Sequence, residues 1–307
     1  MIVRKPDFFM VGAQKCGTTA LYQYLRQHPD VFMPQQKEIH FFAPDLDSGS
    51  ELDAVFFTRD LEQYLSLFEQ AQNQKRIGEA SPGYLYSHVA AAKIKEFCPH
   101  AGIIIMLRNP VEMMYALHAQ RLFSGNEDIA DFEAALEAEV DRKRGLRLPK
   151  YAYNIQGLFY RETARFTEQV RRFVDSFGLP NIHVIIFDDL KKDTPGVYRR
   201  TCEYLEIDPD FQPQFEIINP NTTPRNKALR DFVIFQTMPL QRLMKNMPAP
   251  VERKAKQVGK LLLSVNTKQE PRPPLTPELR QRLQAEFAPE VDQLGELLGL
   301  DLKSMWT

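Results

Sequence analysis

Cysteine is scarce in this sequence, and the cysteines that are present follow no pairing pattern. Cys16, Cys98 and Cys202 are an odd number, far apart, without CxxC or Cys/His spacing. This pattern argues against a disulfide scaffold and against a zinc site, and it is typical of a reducing compartment. We therefore expect a cytoplasmic protein that holds no metal ion.

Long hydrophobic runs and an excess of one charge sign are also missing. The first apolar run, Phe8–Val11, is far shorter than a signal-peptide core or a membrane span. The 39 basic and 40 acidic residues give a formal net charge of -1, so no overall positive field would attract nucleic acid. We expect no nucleic-acid partner and no membrane span, and any recognition of an anion must be local.

The sequence does contain an alternation of short apolar runs with helical patterns. The runs Phe8–Val11, Ile103–Leu107 and Val184–Phe187 have the length of strands that are buried on both faces. A shorter and more polar fourth strand is predicted at Arg76–Ala80. Apolar residues at helical spacing follow the first three runs closely. The alternation predicts an α/β fold, a central parallel sheet flanked by helices, in a single domain over residues 1–307.

The C-terminal part has a different pattern, which begins after the proline-rich stretch Pro271–Pro274. Apolar side chains there recur on one face of a predicted helix, at Leu279, Leu283, Phe287, Val291, Leu294 and Leu298. Such an amphipathic helix must bury one face against the rest of the molecule. The sequence therefore predicts a helical C-terminal cap.

The most informative segment is Gly12–Thr19, which reads Gly-Ala-Gln-Lys-Cys-Gly-Thr-Thr between the first strand and a helix. Its glycines allow close backbone approach, and amide N–H groups at a helix N-terminus bind phosphate or sulfate. Kinases and NTPases place a lysine directly after the second glycine of such a loop, but here that position is Thr18 and the lysine is Lys15. The strand Ile103–Leu107 is followed by Arg108 rather than by an acidic residue for magnesium. The loop favours a donor that is bound without metal.

This loop resembles the 5′-phosphosulfate-binding loop of sulfotransferases that use 3′-phosphoadenosine 5′-phosphosulfate (PAPS). The resemblance implies a P-loop-like fold and transfer of a sulfuryl group from PAPS to an acceptor hydroxyl or amine, with release of 3′-phosphoadenosine 5′-phosphate (PAP) and no metal. It also implies that Lys15 stabilises the departing phosphate oxygen. The residues implied to hold the 5′-phosphosulfate are Lys15, Cys16, Gly17, Thr18 and Thr19.

A second segment, Arg108–Glu112, resembles the 3′-phosphate signature of the same family. An arginine that follows a buried strand faces the crevice in which open α/β sheets bind ligands, and its planar fork suits a phosphate. The family signature continues with Asn/Asp-Pro-Val and with a serine eight residues after the arginine, a position that Ala116 occupies here. We expect Arg108 to bind the 3′-phosphate with one hydroxyl contact fewer than is usual.

A third segment, Lys37–Phe42, reads Lys-Glu-Ile-His-Phe-Phe and is similar to a segment of glycan-type sulfotransferases and their bacterial relatives. The glutamate is the proposed catalytic base there, so the resemblance assigns that role to Glu38. A partly desolvated glutamate with a raised pKa is a suitable acceptor of the proton that the attacking hydroxyl loses. His40 is the rival base, although a histidine packed between two phenylalanines and making one hydrogen bond is the alternative interpretation of that residue.

Two further segments carry weaker resemblances. The run Glu79–Tyr84 is similar to a Glu-x-Ser/Thr-Pro-x-Tyr turn that borders the acceptor cleft in the family, and it can equally be an ordinary proline turn. The run Asn266–Lys268, followed by Arg272-Pro273-Pro274, is similar to a mobile loop that closes over the 3′-phosphate in the family. Lys268 is its candidate donor-binding residue, and a solvated linker lysine is the alternative.

Two other functions and several acceptor classes remain open. The protein could be a nucleotide kinase or NTPase, which the missing Walker lysine disfavours, or a non-catalytic nucleotide-binding protein, which Ala116 suggests. The acceptor is expected to be a small molecule, a lipid or a carbohydrate. The loops that line the pocket decide among such acceptors, because one fold can carry many different sites.

Overall fold

The central element of the fold is a parallel sheet of five strands. The structure, a computed structural model, describes residues 4–49, 53, 57–150, 154–216, 222–233, 265–269 and 272–306. The strands run in the order β2-β3-β1-β4-β5, and every neighbouring pair is parallel. Their bounds are β1 Phe8–Gly12, β2 Val31–Phe32, β3 Arg76–Ala80, β4 Gly102–Leu107 and β5 Ile182–Ile186.

The four predicted strands are present, and the last of them ends earlier than predicted. Phe187 does not extend β5 but begins a helix whose first turn contains Asp188 and Asp189. Carboxylates in the first turn of a helix interact favourably with the helix dipole, which explains this boundary. Strand β2 was not predicted, because two residues are too short a run to show any periodicity.

Helices connect the strands and cover both faces of the sheet. Within the described ranges they are α1 Thr18–Leu25, α2 Leu61–Ser66, α3 Ala90–Phe97, α4 Pro110–Ser124, α5 Phe132–Glu137, α6 Glu139–Lys143, α7 Tyr160–Thr163, α8 Phe166–Phe177, α9 Phe187–Lys192, α10 Thr194–Tyr204, α11 Lys227–Asp231, α12 Pro277–Leu298 and α13 Leu302–Trp306. The predicted α/β fold with a helical C-terminal part is therefore confirmed. None of these helices is long and apolar enough to cross a membrane.

The core lies on both faces of the two central strands. All five residues of β1 are buried, as are the apolar residues of β4, which accounts for their uninterrupted apolar sequences. The C-terminal helix α12 buries Leu279, Leu283 and Phe287 and packs on α4 and α8. Because β1, β3 and β4 are parallel, their carboxyl ends lie at the same edge of the sheet.

A small antiparallel pair, β6 Thr222–Pro224 and β7 Thr267–Gln269, lies apart from the main sheet. The side chain of Asn266 fastens it to the start of α11, because its Oδ1 accepts from Asn226 N at 2.8 Å and its Nδ2 donates to Asn226 O at 2.8 Å. The segment around Lys268 is thus paired with a second strand.

Candidate active site

A cleft of about 820 Å³ opens at the carboxyl end of the sheet and carries a strong local charge. Five of its described lining residues are cationic, and Glu38 is the lining residue with a carboxylate. This local excess of cations contrasts with the formal charge of -1 of the whole chain. The cleft therefore suits a polyanionic ligand. The cationic lining residues are Lys15, Lys37, Arg108, Arg121 and Arg272.

The predicted anion loop connects β1 to α1 at the floor of this cleft. Gly17 has a φ of 90°, and a Cβ there would lie 2.9 Å from the ring of Phe187, so both its backbone and its surroundings require glycine. Thr18 and Thr19 line the cleft. The side chain of Cys16 is buried outside the lining, and burial raises the pKa of its thiol to about 12. Cys16 can therefore contribute only backbone groups to a ligand.

Lys15 lies in the middle of the loop in a left-handed conformation, with a φ of 61°. Its Nζ donates to Gln120 Oε1 at 3.1 Å, and its carbonyl oxygen accepts from Arg108 Nη1 at 3.4 Å. Burial, followed by the positive charge of Arg272, lowers the pKa of Lys15 to about 8. An anion beside Lys15 would favour the charged ammonium again.

Lys37 joins the loop to the predicted base segment, although the sequence suggested no role for it. Its Nζ lies 3.2 Å from Thr19 Oγ1, 3.5 Å from Thr18 Oγ1 and 3.0 Å from Glu38 Oε1. Lys37 is the first residue of the Lys37–Phe42 motif, but its contacts depend on how that motif packs against the loop that contains Thr18 and Thr19. Lys37 can contact a bound anion and the candidate base at the same time.

Glu38 faces the cleft from a strained turn, and its side chain is 57% exposed. Its φ is 63°, and its backbone N–H donates to Ala80 O at 2.9 Å at the end of β3. The surrounding cleft walls partly desolvate this exposed carboxyl and so raise its pKa, but Lys37, His40 and Arg121 outweigh that effect and lower the pKa below the ordinary value. The expectation of a raised pKa is therefore wrong, because the neighbouring cations favour the carboxylate.

His40 is a buried residue of the cleft wall. Its ring packs edge-on against Phe57 at 5.3 Å and Tyr84 at 6.2 Å between centroids. Burial lowers its pKa to about 4, and its Nδ1 lacks a hydrogen-bond partner. This environment fits a histidine that packs in the core better than a catalytic base, although the ring contacts Phe57 and Tyr84 rather than two phenylalanines.

Two arginines meet on the side of the cleft next to α4. The guanidinium of Arg108 lies 4.8 Å from the ring centre of Phe187 and 3.5 Å from a Glu112 carboxylate oxygen. Arg272 stacks on the ring of Tyr115 at 5.0 Å, and its buried Nε and Nη1 have no hydrogen-bond partner. Burial, followed by the charge of Arg108, lowers the pKa of Arg272. Two guanidiniums on the same side of the cleft, one of them with unused donors, are suited to a phosphate.

Lys268 and Ala116, the other residues predicted near the 3′-phosphate, differ in position. Lys268 is an exposed residue of β7 and is not part of the cleft lining, whereas Arg272, four residues later, lines the cleft. Ala116 lines the cleft on α4. The sequence shows Arg272 in the Arg-Pro-Pro run after Lys268. Only the packing of Arg272 on Tyr115 identifies it, rather than Lys268, as the residue that lines the cleft.

Comparison with known proteins agrees with this geometry. The family model described as "Sulfotransferase domain" matches residues 5–295. The chain belongs to the sulfotransferase family. A solved sulfotransferase from Alicyclobacillus acidocaldarius is 28% identical, with a TM-score of 0.73, and the match covers 98% of this chain and 99% of that one.

Curated sulfotransferases match over part of their length. Membrane-associated sulfotransferase kil1 of Dictyostelium discoideum is 37% identical over 107 residues, which are 35% of this chain and 21% of the relative. Carbohydrate sulfotransferase 15 of Homo sapiens is 22% identical over 301 residues, which are 82% of this chain and 53% of the relative. This sulfotransferase chain thus spans about half or less of the length of these relatives.

The Glu79–Tyr84 run of this sulfotransferase makes hydrogen bonds to the backbone of the segment that contains Glu38 and His40. The buried Glu79 carboxylate accepts hydrogen bonds from Ser81 Oγ at 2.5 Å, Tyr84 OH at 2.8 Å and Tyr64 OH at 3.2 Å. Burial raises its pKa to about 7. Ser81 Oγ in turn accepts from His40 N at 3.0 Å. Besides forming a turn at the cleft, where Pro82 is a lining residue, the run positions the backbone around Glu38.

No group of three or more His, Cys, Asp or Glu side chains within the described ranges is arranged to hold a metal ion. The metal-free reaction stays a prediction.

Proposed function

We propose that this protein transfers a sulfuryl group from PAPS to an acceptor hydroxyl or amine and releases PAP. One observation carries the proposal: a single cleft contains the Lys15–Thr19 loop, the carboxylate of Glu38 and the paired guanidiniums of Arg108 and Arg272. Membership of the sulfotransferase family supports the same reaction.

The cleft residues fit PAPS as two separate anion sites. Lys15 and Lys37, with the hydroxyls of Thr18 and Thr19, form a cluster that suits the 5′-phosphosulfate. Arg108 and Arg272 form a second cluster that suits the 3′-phosphate, and the buried Nε and Nη1 of Arg272 lack partners there. When bound, PAPS supplies an activated sulfuryl group whose bond to the phosphate oxygen breaks during transfer.

The chain's own residues would then promote an in-line displacement. Glu38 takes the proton from the acceptor hydroxyl or amine as that group attacks sulfur, because its carboxylate faces the cleft and is ionised at neutral pH. Lys15 stabilises the negative charge that develops on the departing phosphate oxygen. Lys37, between Thr19 and Glu38, holds donor and base in one arrangement.

A carbohydrate is the acceptor that the comparisons support best, because carbohydrate sulfotransferase 15 matches 82% of the chain. A small molecule or a lipid remains within the proposal, since the residues that would bind the acceptor are particular to each protein. A cytoplasmic location is likewise a proposal, which rests on the scarcity of cysteine.

The direct test is incubation of the protein with PAPS labelled in the sulfuryl group and a cell extract, followed by identification of the labelled product. We expect a sulfated acceptor and stoichiometric PAP. Magnesium-dependent ATP turnover without sulfation would establish the kinase or NTPase alternative. Tight PAP binding with no labelled product in a broad acceptor screen would establish the non-catalytic alternative.

A further inference from the structure

A hydrogen bond between Lys15 and Gln120 connects the anion loop to helix α4. Lys15 Nζ donates to Gln120 Oε1 at 3.1 Å. Gln120 is an exposed residue of the cleft lining and lies near the end of α4. An ammonium has donors and no acceptor, so the amide oxygen is the atom of Gln120 that can face it. Gln120 therefore sets the direction in which the lysine points.

The next residue of α4 makes a second hydrogen bond to the same loop. Arg121 Nη2 donates to Gln14 Oε1 at 3.1 Å. Arg121 is 6% exposed and packs against Gly157, where an added Cβ would lie 2.1 Å from Nη2. Consecutive residues of the helix thus hold consecutive residues of the loop. The buried arginine fixes the end of α4 at which Gln120 lies.

The other cleft-lining residues of α4 within the described ranges provide no acceptor for Lys15. Ala116, one turn before Gln120, has no polar atom in its side chain, and the guanidinium of Arg121 only donates. Ser124 Oγ is engaged with the backbone of its own helix, where it donates to Arg121 O at 3.2 Å. Gln120 is therefore the acceptor that α4 offers to the lysine.

The charges around Lys15 explain why a neutral partner matters. Burial and three facing cations lower the pKa of Lys15 to about 8, and the Glu38 carboxylate acts in the opposite direction. An ion pair between Lys15 and Glu38 would occupy the leaving-group lysine and the base together. The amide of Gln120 ties Lys15 to α4 without neutralising its charge. The facing cations are Arg272, Arg108 and Lys37.

We propose that Gln120 is a positioning residue for sulfuryl transfer, whose amide oxygen keeps the Lys15 ammonium available to the departing phosphate oxygen rather than to Glu38. The hydrogen bond from Lys15 and the fixed end of α4 carry this inference, which rests on the proposed sulfotransferase function. Because Gln120 is exposed, its side chain can be changed without disturbing the core.

The first measurement is the pKa of Lys15, which requires no turnover. Brief labelling with acetic anhydride over about pH 6–10, quantified by mass spectrometry of the peptide that contains Lys15, would give this pKa for each protein. We expect Gln120→Glu to raise it by about one pH unit, because a carboxylate favours the ammonium, and Gln120→Leu to lower it by a smaller amount. Gln281→Leu, at an exposed glutamine of α12, is the matched control and should equal the wild type.

The second measurement separates catalysis from donor binding. Turnover is measured with saturating PAPS labelled in the sulfuryl group and a cell extract as the source of acceptor, and calorimetry measures PAP affinity. We expect Gln120→Leu to lower turnover by about tenfold or more and to change PAP affinity by less than about threefold. The reason is that a misdirected Lys15 loses an interaction with charge that develops during transfer. Gln281→Leu should change neither.

The same Lys15 pKa in the wild type and in both Gln120 variants would overturn the proposal, as would unchanged turnover in Gln120→Leu. If Gln120 instead binds the acceptor, Gln120→Leu would need more extract to reach half of an unchanged maximal rate, and that result would also overturn it. A wild type that shows the expected order of pKa values but transfers no sulfuryl group would overturn the sulfotransferase function, and the catalytic role of Gln120 with it, while the contact with Lys15 would stand.

Discussion

At the scale of single residues, Lys15 illustrates how a binding contact and a catalytic contact differ. A lysine at the departing oxygen interacts most strongly with charge that develops during transfer. We predict that Lys15→Ala lowers kcat by about a hundredfold or more but weakens PAP binding by less than about tenfold. Turnover of labelled PAPS and calorimetry with PAP would measure the two effects. Losses of equal size would remove Lys15 from the leaving-group role.

Glu38 is the residue whose pH dependence tests the base assignment. Its pKa lies below the ordinary 4.5 because of Lys37, His40 and Arg121, so the acid limb of kcat/KM should fall below pH 4.5. Glu38→Gln should lower turnover by about a hundredfold or more and abolish that limb, since an amide cannot titrate. PAP binding should persist.

His40→Asn is the matched control for Glu38→Gln, because it changes a buried ring in the same segment. We expect it to retain the acid limb. An active Glu38→Gln together with a folded but inactive His40→Asn would move the base to His40. Lys37→Met should shift the limb to higher pH, because it removes a cation that favours the carboxylate.

At the scale of elements, the turn from β1 into α1 depends on one glycine. Gly17 has a φ of 90°, and a Cβ there would approach both Phe187 and Leu190 of α9 within about 3 Å. We predict that Gly17→Ala lowers the free energy of unfolding by about 1–2 kcal/mol and weakens PAP binding, because the loop must shift. Gly145→Ala is the control. Gly145 also has a positive φ, but its added Cβ meets nothing within 4 Å, so PAP binding should be unchanged there.

The run after β3 should make stability depend on pH. The pKa of Glu79 is raised by burial to about 7 from an ordinary 4.5, so the unfolded chain loses this proton at a lower pH than the folded protein. The stability that Glu79 contributes is therefore fully present below about pH 4.5 and is lost as the pH rises through about 7.

Glu79→Gln replaces the titrating carboxyl with an amide, so the variant does not lose this stability as the pH rises. The free energy of unfolding of the variant minus that of the wild type should therefore increase between pH 5 and pH 8, by up to about 3 kcal/mol. Urea denaturation at the two pH values measures this difference. Glu139, whose pKa burial also raises to about 7, is unchanged in both proteins and cancels. A difference that is equal at both pH values would contradict the assignment to Glu79.

At the scale of the whole molecule, the helix α13 contacts the segment that carries the candidate donor-binding residue Arg108. The Nδ2 of Asn109 donates to Trp306 O at 2.7 Å, and its Oδ1 caps α4 by accepting from Val111 N at 2.9 Å. Asn109 follows Arg108 directly, and the C-terminal helix α13 buries Leu302 and Trp306. This contact connects α13 to the candidate 3′-phosphate site.

Deleting residues 302–307 should lower the free energy of unfolding by about 3 kcal/mol or more, because two large apolar side chains leave the core. It should also weaken PAP binding, because Asn109 loses the carbonyl that fixes its side chain. Lys303→Ala, at an exposed position of the same helix, should change neither. Thermal or urea unfolding and PAP calorimetry would measure the two effects. Unchanged PAP affinity in the folded deletion variant would show that the contact does not position Arg108.

Local sequence pattern by itself determined the layered fold and the places of the candidate anion-binding segments. Continuous apolar runs predict buried parallel strands because both of their faces are covered, and a glycine loop between strand and helix predicts an anion site from its backbone alone. Each of these properties depends on a few neighbouring residues, so periodicity and spacing were sufficient.

Only the tertiary structure decided how these segments act on one another. It placed Lys37 between Thr19 and Glu38, which reversed the expected direction of the Glu38 pKa shift. It selected Arg272 over Lys268 as the residue that lines the cleft. Electrostatic effects depend on the distance and burial of groups that are far apart in the chain, and neither quantity exists until the chain has folded.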